Sequence, residues 1–154
     1  MSADRTHLQG TCPECGAPLD HGLTCWQQFG TILTWEWQDP ELQAVHFLTV
    51  AAYNLQHPAR FTAEALATLH AVFVDHIDHK TPVDRLRKRV AHVMQGHTKV
   101  LAEAQEREVT QQSWPMTVAD VYNRGESEGA AGRVRQWAMS VRSHLPPEIS
   151  LRVR

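Results

Sequence analysis

Cys12, Cys15 and Cys25 are the residues of this chain best suited to do chemistry, and the chain has no other cysteine. Cys12-Pro13-Glu14-Cys15-Gly16 sets two thiols either side of a two-residue step, in a turn closed by glycine. Both sulfurs of such a turn can point at one metal ion, at about 2.3 Å for zinc. Glycine after the second cysteine lets the backbone fold tightly around the sulfur. Cys25 adds a third soft donor where a helix is predicted to begin, and a helix N-terminus favours a thiolate. An odd cysteine count leaves one thiol over in any intramolecular disulfide scheme, whereas a metal needs no even count. A thioredoxin-like redox pair wants a βαβ context, which the pattern lacks. The predicted chemistry is binding of one zinc ion (Zn), with iron the alternative occupant of a sulfur-rich site.

Tetrahedral zinc needs a fourth ligand. The helix predicted from Cys25 and the helix predicted from Pro40 form a hairpin about Asp39. Cys25 lies fourteen residues before that turn. The residue opposite it is then near Tyr53, and His57 sits one turn further on. His57 is therefore the first choice. His21 would close a local knuckle, His46 falls mid-bundle opposite Ile32, and a bound water would leave an open position suited to catalysis.

These donors have to be positioned by helices. Thr24 with Gln27 matches a capping box, so a first helix starts at Cys25, with Phe29, Ile32, Leu33 and Trp37 on one face. Asp39-Pro40 stops it and restarts a second, predicted to run unbroken from Pro40 to His57 before Pro58. This second helix is apolar on nearly every side, which makes it central. A third is predicted over about 62–78, with Leu66, Leu69, Phe73 and Ile77 inward. A fourth follows Thr81-Pro82, with Val83, Leu86 and Val90 on its apolar face. Residues 97–113 show no clear period. A last helix is predicted over 126–145, with Val134, Trp137, Ala138, Val141 and Leu145 on one stripe. The fold class is all-α, a helical bundle with an N-terminal zinc knuckle. It is one domain over 1–154: the knuckle at 11–25, the bundle at 25–145, and a mobile tail at 146–154.

One stripe of the central helix is polar: His46, Thr49, Tyr53 and His57, with Gln56 beside them. It reads either as a hydrogen-bonded or solvated seam, or as a ligand pocket lined by His46, Tyr53 and His57. Glu36 is placed to face His46 across the hairpin, as an acid/base couple or as a plain hydrogen bond. The candidate catalytic residues are Glu36, His46 and Tyr53. His70, His76 and His79 with Asp75 and Asp78 read as a solvated helix end. Arg85, Arg87, Lys88 and Arg89 read as a solvated basic face. The five tryptophans read as core and interface aromatics.

A length of 154 residues allows a real core, and 21% charged residues is a globular value. A net charge of −2 argues against nucleic acid as the partner. No apolar run is long enough to cross a bilayer, and the first ten residues lack the apolar stretch of a secretion signal. The expected location is cytoplasmic.

The chain resembles an uncharacterised bacterial family catalogued only as a domain of unknown function. The resemblance rests on Cys12-Pro13-Glu14-Cys15-Gly16, Cys25, Glu36-Trp37, Asp39-Pro40, and the run from Val45-His46 through Tyr53-Asn54-Leu55-Gln56-His57-Pro58. Members often carry a second histidine where this chain has Phe47, which weakens schemes that need adjacent imidazoles. The resemblance implies that His46, Tyr53, Gln56 and His57 belong with the cysteines as one functional set. It brings no activity.

Three functions follow, in order of preference. The first is a module with a structural zinc that binds a small ligand or another protein. The second is a metal-dependent, hydrolase-like enzyme. The third is a regulatory or nucleic-acid-binding zinc protein. A homodimer through an apolar bundle face is compatible with any of them.

Overall fold

Thr24 begins the helical part of the chain. Its hydroxyl accepts from the Gln27 N–H while the Gln27 side chain accepts from the Thr24 N–H, and helix α1 follows over Cys25–Trp35. The computed structural model describes residues 10–93, 101–103 and 109–145. Helix α2 spans Pro40–Ala44, α3 His46–Leu55, α4 Ala63–His79, α5 Val83–Val93, α6 Val118–Tyr122 and α7 Ala130–Ser143. Short 3-10 turns at Pro58–Arg60 and Asn123–Gly125 follow α3 and α6. Among the described residues there is no strand, only isolated bridges such as Thr11 with Pro18 and Phe61 with Leu101. The all-α class is therefore as the sequence pattern suggests.

The predicted helix over Pro40–His57 is in fact two. Asp39 caps α2 by accepting from the Leu42 N–H at 3.1 Å, with Pro40 at the first helical position. Val45 then leaves helical geometry, with φ −106° and ψ 18°, and α3 restarts at His46. The break lets α2 turn Leu42 into the core while α3 packs separately. Val45, at this break, is itself buried.

Helix α3 is the hub, packed between α4 and α7. It buries Ala51, Ala52, Tyr53 and Leu55, and the small residues on it let α7 approach closely. From α7 come Val134, Trp137, Ala138 and Val141, all buried. This helix begins at Ala130 rather than near Glu126, because Gly129 holds a left-handed N-cap with φ +77° and residues 128–129 form a turn.

Helix α6 has no counterpart in the sequence reading, although Thr117 and Asp120 form a second capping box. Its Val118 and Val121 are fully buried, and α1 packs most extensively against it. Trp35 stacks on Tyr122 at 5.9 Å between ring centroids. The tryptophans do not all enter the core. Trp137 is fully buried, but Trp37 is 88% exposed at the turn before α2, and Trp26 is also exposed.

Helix α4 buries Phe73 and also Ala65, Thr68 and Val72, because it is sandwiched between α3 and α5. Its last turn is tied down by charge. Asp78 accepts from Arg142 of α7 at 2.8 Å, and Asp75 pairs with Arg89 of α5. Each guanidinium holds its carboxyl below the usual carboxylate range. Residues 1–9 and the tail expected at 146–154 lie outside the described residues, as do 97–100 and 104–108 of the stretch without clear period.

A buried polar bridge joins the hub to its neighbours. The Gln56 side-chain amide donates to the Met116 carbonyl at 2.8 Å, and its oxygen accepts from the Trp137 indole N–H at 3.2 Å. Replacing Gln56 by Leu keeps the volume but strands the indole N–H in the core. Gln56→Leu is expected to cost about 2 kcal/mol, read as a lower urea midpoint with an unchanged m-value.

Candidate metal centre

The centre is assembled from a knuckle and two helix ends. In the knuckle, the Cys12 N–H donates to the Ala17 carbonyl at 2.8 Å, and the Gly16 N–H to the Cys12 carbonyl at 2.9 Å. Gly16 takes φ +82°, the left-handed conformation that closes the turn without steric cost. Backbone N–H groups then point at the sulfurs. Those of Glu14 and Cys15 lie 3.4 Å from the Cys12 sulfur, and that of Ala17 lies 3.4 Å from the Cys15 sulfur. Oriented N–H dipoles of this kind favour anionic sulfur.

The knuckle is held to the bundle from both sides. The Gln28 amide of α1 donates to the carbonyls of Pro18 and Leu23, at 3.0 and 2.9 Å. The Glu14 carboxylate accepts from the Ala59 N–H at 2.8 Å, which fixes the knuckle against the 3-10 turn after α3. The carbonyl of Glu14 accepts from the Gln112 N–H.

Cys25 stands in the first turn of α1 and His57 just past the end of α3. The donor atoms of Cys12, Cys15, Cys25 and His57 all lie within 4.8 Å of one another, and all four residues are buried. His57 Nε2 is 3.5 Å from the Cys25 sulfur and 3.7 Å from the Cys12 sulfur. Its other nitrogen, Nδ1, donates to the Tyr53 carbonyl at 2.6 Å. That bond leaves Nε2 facing the sulfurs, the usual way a protein fixes a ligating imidazole. Donors about 2.3 Å from one tetrahedral ion lie roughly 3.8 Å apart, so this set fits a metal ion with small adjustments.

The aromatic surroundings dry the centre. Tyr53 stacks on the His57 ring at 4.0 Å and on Phe29 at 4.2 Å, and its hydroxyl lies 3.5 Å from the Cys25 sulfur. A hollow of about 200 Å³ borders the centre, lined by Glu14, Trp26, Tyr53 and Arg60 along with Cys12 and His57. The Arg60 guanidinium sits 5.4 Å over the Trp26 ring at its edge. Burial pushes the Glu14 carboxyl up.

Without an ion, the protons distribute unevenly. Bonds from the Cys15 and Cys25 thiols and from His57 hold the Cys12 thiol well below its ordinary range, against burial. Cys15 is pushed up by the Cys12 and Cys25 thiols and by burial. Burial alone would lower His57, but its contacts with Cys12 and Cys25 prevail and raise it to about 10. The Tyr53 phenol is pushed up by burial and by Cys25.

The model of a family of unknown function, DUF5946, matches residues 10–146. The chain belongs to this family. No curated protein and no solved structure matches the chain. The match spans the knuckle, both helix ends that carry Cys25 and His57, and α7.

The other residues singled out in the sequence go elsewhere. His21, in the left-handed region at φ +50°, has its ring nitrogen 3.3 Å from the Tyr122 hydroxyl and is outside the cluster. His46 is exposed and bonded to both oxygens of Glu36 at 2.8 and 2.9 Å. The hollow that Tyr53 and His57 line does not include His46. Thr49 of the same stripe turns its hydroxyl to the Val45 carbonyl and is buried. Glu36, His46 and Tyr53 therefore do not converge on one point.

His57 and Cys15 are both protonated near neutrality in the metal-free chain, so a metal has to displace both protons. Acid then weakens binding and alkali strengthens it. Titration at pH 7.5 in buffers of different ionisation heat is expected to show at least two protons released per metal. Between pH 7 and 8 the apparent affinity is expected to rise about a hundredfold. A binding heat that does not depend on the buffer would contradict this proton inventory.

Proposed function

We propose that Cys12, Cys15, Cys25 and His57 hold one zinc ion whose role is structural, and that the protein is a zinc-stapled helical module that binds a small ligand or another protein. What carries this reading is that four buried protein donors from two distant parts of the chain converge within 4.8 Å. Structural zinc sites are closed by four protein ligands, whereas catalytic sites keep a position for water. Three sulfurs and one imidazole suit zinc in both softness and number. The ion would join the knuckle, the start of α1 and the end of α3, adding to the bonds that Gln28 and Glu14 already make between these segments.

An enzyme built on this centre would need an open coordination position, and its candidate Glu36–His46 pair lies apart from the hollow at the centre. The structural reading therefore leads. Elemental mass spectrometry of the purified chain is expected to find one zinc per chain. His57→Ala is expected to bind it at least a hundredfold more weakly, with a lower Tm for the holoprotein. X-ray absorption on the wild type is expected to give three sulfur scatterers and one nitrogen. A wild type that takes up no zinc under reducing conditions, or a variant that holds it as firmly, would sink this reading.

A further inference from the structure

The basic run of α5, Arg85, Arg87, Lys88 and Arg89, is exposed and belongs to neither the core nor the metal centre. Arg89 pairs with Asp75, while Arg85, Arg87 and Lys88 form no ion pair among the described residues. The same helix leaves its apolar stripe half covered: Leu86 is buried, but Val83 and Val90 are only partly so. Between this stripe, α4 and α3 lies a cavity of about 500 Å³, within the range of small-molecule sites.

The walls define the ligand. Phe47 of α3, Leu69 and Val72 of α4, and Val83, Leu86 and Val90 of α5 make them apolar. The lining runs from Ala65 to Val72 on α4 and from Val83 to Ala91 on α5. At 1.5 Å of rise per residue each stretch is about 10 Å long, the length of an extended alkyl chain of about eight carbons. Asn54 and Thr68 are polar wall residues, and the Thr68 hydroxyl already donates to the Glu64 carbonyl.

Arg87 stands on the stripe of α5 that lines the cavity, yet is itself exposed. Its stem therefore walls the cavity and its guanidinium stands at the mouth. Among the described residues it is the one charged group in the lining, with no Asp or Glu beside it there. A planar guanidinium offers a carboxylate two parallel N–H donors, and one cation matches one negative charge.

We propose that this cavity binds a straight-chain monocarboxylate of medium length, its alkyl chain along Leu69, Val72 and Val90 and its carboxylate at Arg87. This names a ligand for the module proposed above and rests on the small-ligand part of that reading, not on its zinc. No residue of the cavity is a candidate metal ligand.

The test uses the full chain as purified, with octanoate below its micelle concentration as the probe. Butyrate keeps the headgroup and shortens the chain, and 1-octanol keeps the chain and removes the charge. Methyl NMR follows Leu69, Val72, Leu86 and Val90. Saturable shifts are expected with octanoate, and butyrate is expected to bind at least tenfold more weakly. Arg87→Gln is expected to weaken octanoate about threefold at low salt and to leave 1-octanol unchanged. Val90→Trp, which fills the cavity from a partly exposed position, is expected to abolish the shifts. No saturable shift with octanoate would overturn the proposal. So would equal binding of butyrate, unchanged octanoate binding by Arg87→Gln, or equal weakening of octanoate and 1-octanol by that variant. Shifts produced by anionic lipid vesicles but not by free octanoate would overturn it in favour of a membrane-facing surface. Zinc content, measured on each sample, separates failure here from failure of the metal reading.

Discussion

Three thiols and an imidazole buried at one point cannot be neutral bystanders. Cys12, Cys15, Cys25 and His57 lie too close together for their protonation states to be independent, and each is shielded from water. Either protons are shared among them, as the opposed shifts of Cys12 and Cys15 describe, or one cation replaces those protons. Much of the local architecture serves this point. The knuckle has no helix or strand of its own, and its order comes from N–H groups aimed at sulfur and from Gln28 and Glu14 reaching across to other segments. The Nδ1 bond of His57 to Tyr53 spends the last turn of α3 on orienting a ring.

The polar stripe of α3 shows how a central helix can carry polar groups without destabilising the core. Each member finds a different partner. Thr49 bonds back to its own helix, Gln56 crosses to α7 and to the Met116 carbonyl, and Tyr53 and His57 close around the sulfurs. His46 stays at the surface, anchored to Glu36 near the turn between α1 and α2. A stripe that reads as one pocket along a helical wheel is thus divided among different neighbours, because α3 meets different elements along its length.

Much of the centre was legible because it rests on local rules. The Cys-x-x-Cys turn, the Thr24 capping box and the Pro58 stop each act within a few residues, and hairpin arithmetic from Asp39 brings Tyr53 and His57 opposite Cys25. What was hidden depends on tertiary context. Val45 breaks its helix because Leu42 and α3 must face different neighbours, a demand no periodicity encodes. Helix α6 is five residues long, too short to show a period, though the Thr117–Asp120 cap was there to be read. Trp37 was assigned inward by spacing, but α1 ends at Trp35 and the turn carries it into solvent. His70 looked like part of a charged helix end because one dimension cannot show that α4 is covered on both sides.

The contrast between the two buried histidines bears on how the fold divides its work. His57 is held through both ring nitrogens, one by a carbonyl and one facing sulfur, so its orientation is fixed before anything binds. His70 is more deeply buried, and among the described residues it is held through neither. A fold that satisfies Gln56, Trp137 and Thr49 around the same hub has the means to satisfy a histidine as well. Replacing His70 by an apolar residue would have been the simpler route to a tight core. The unpaired ring is therefore a cost that packing alone does not explain. The knuckle meets the end of α3 at one short turn, Pro58–Arg60, where the Ala59 N–H donates to Glu14. Fixing this turn fixes the approach of the knuckle to α3, which is what lets the His57 ring meet the sulfurs.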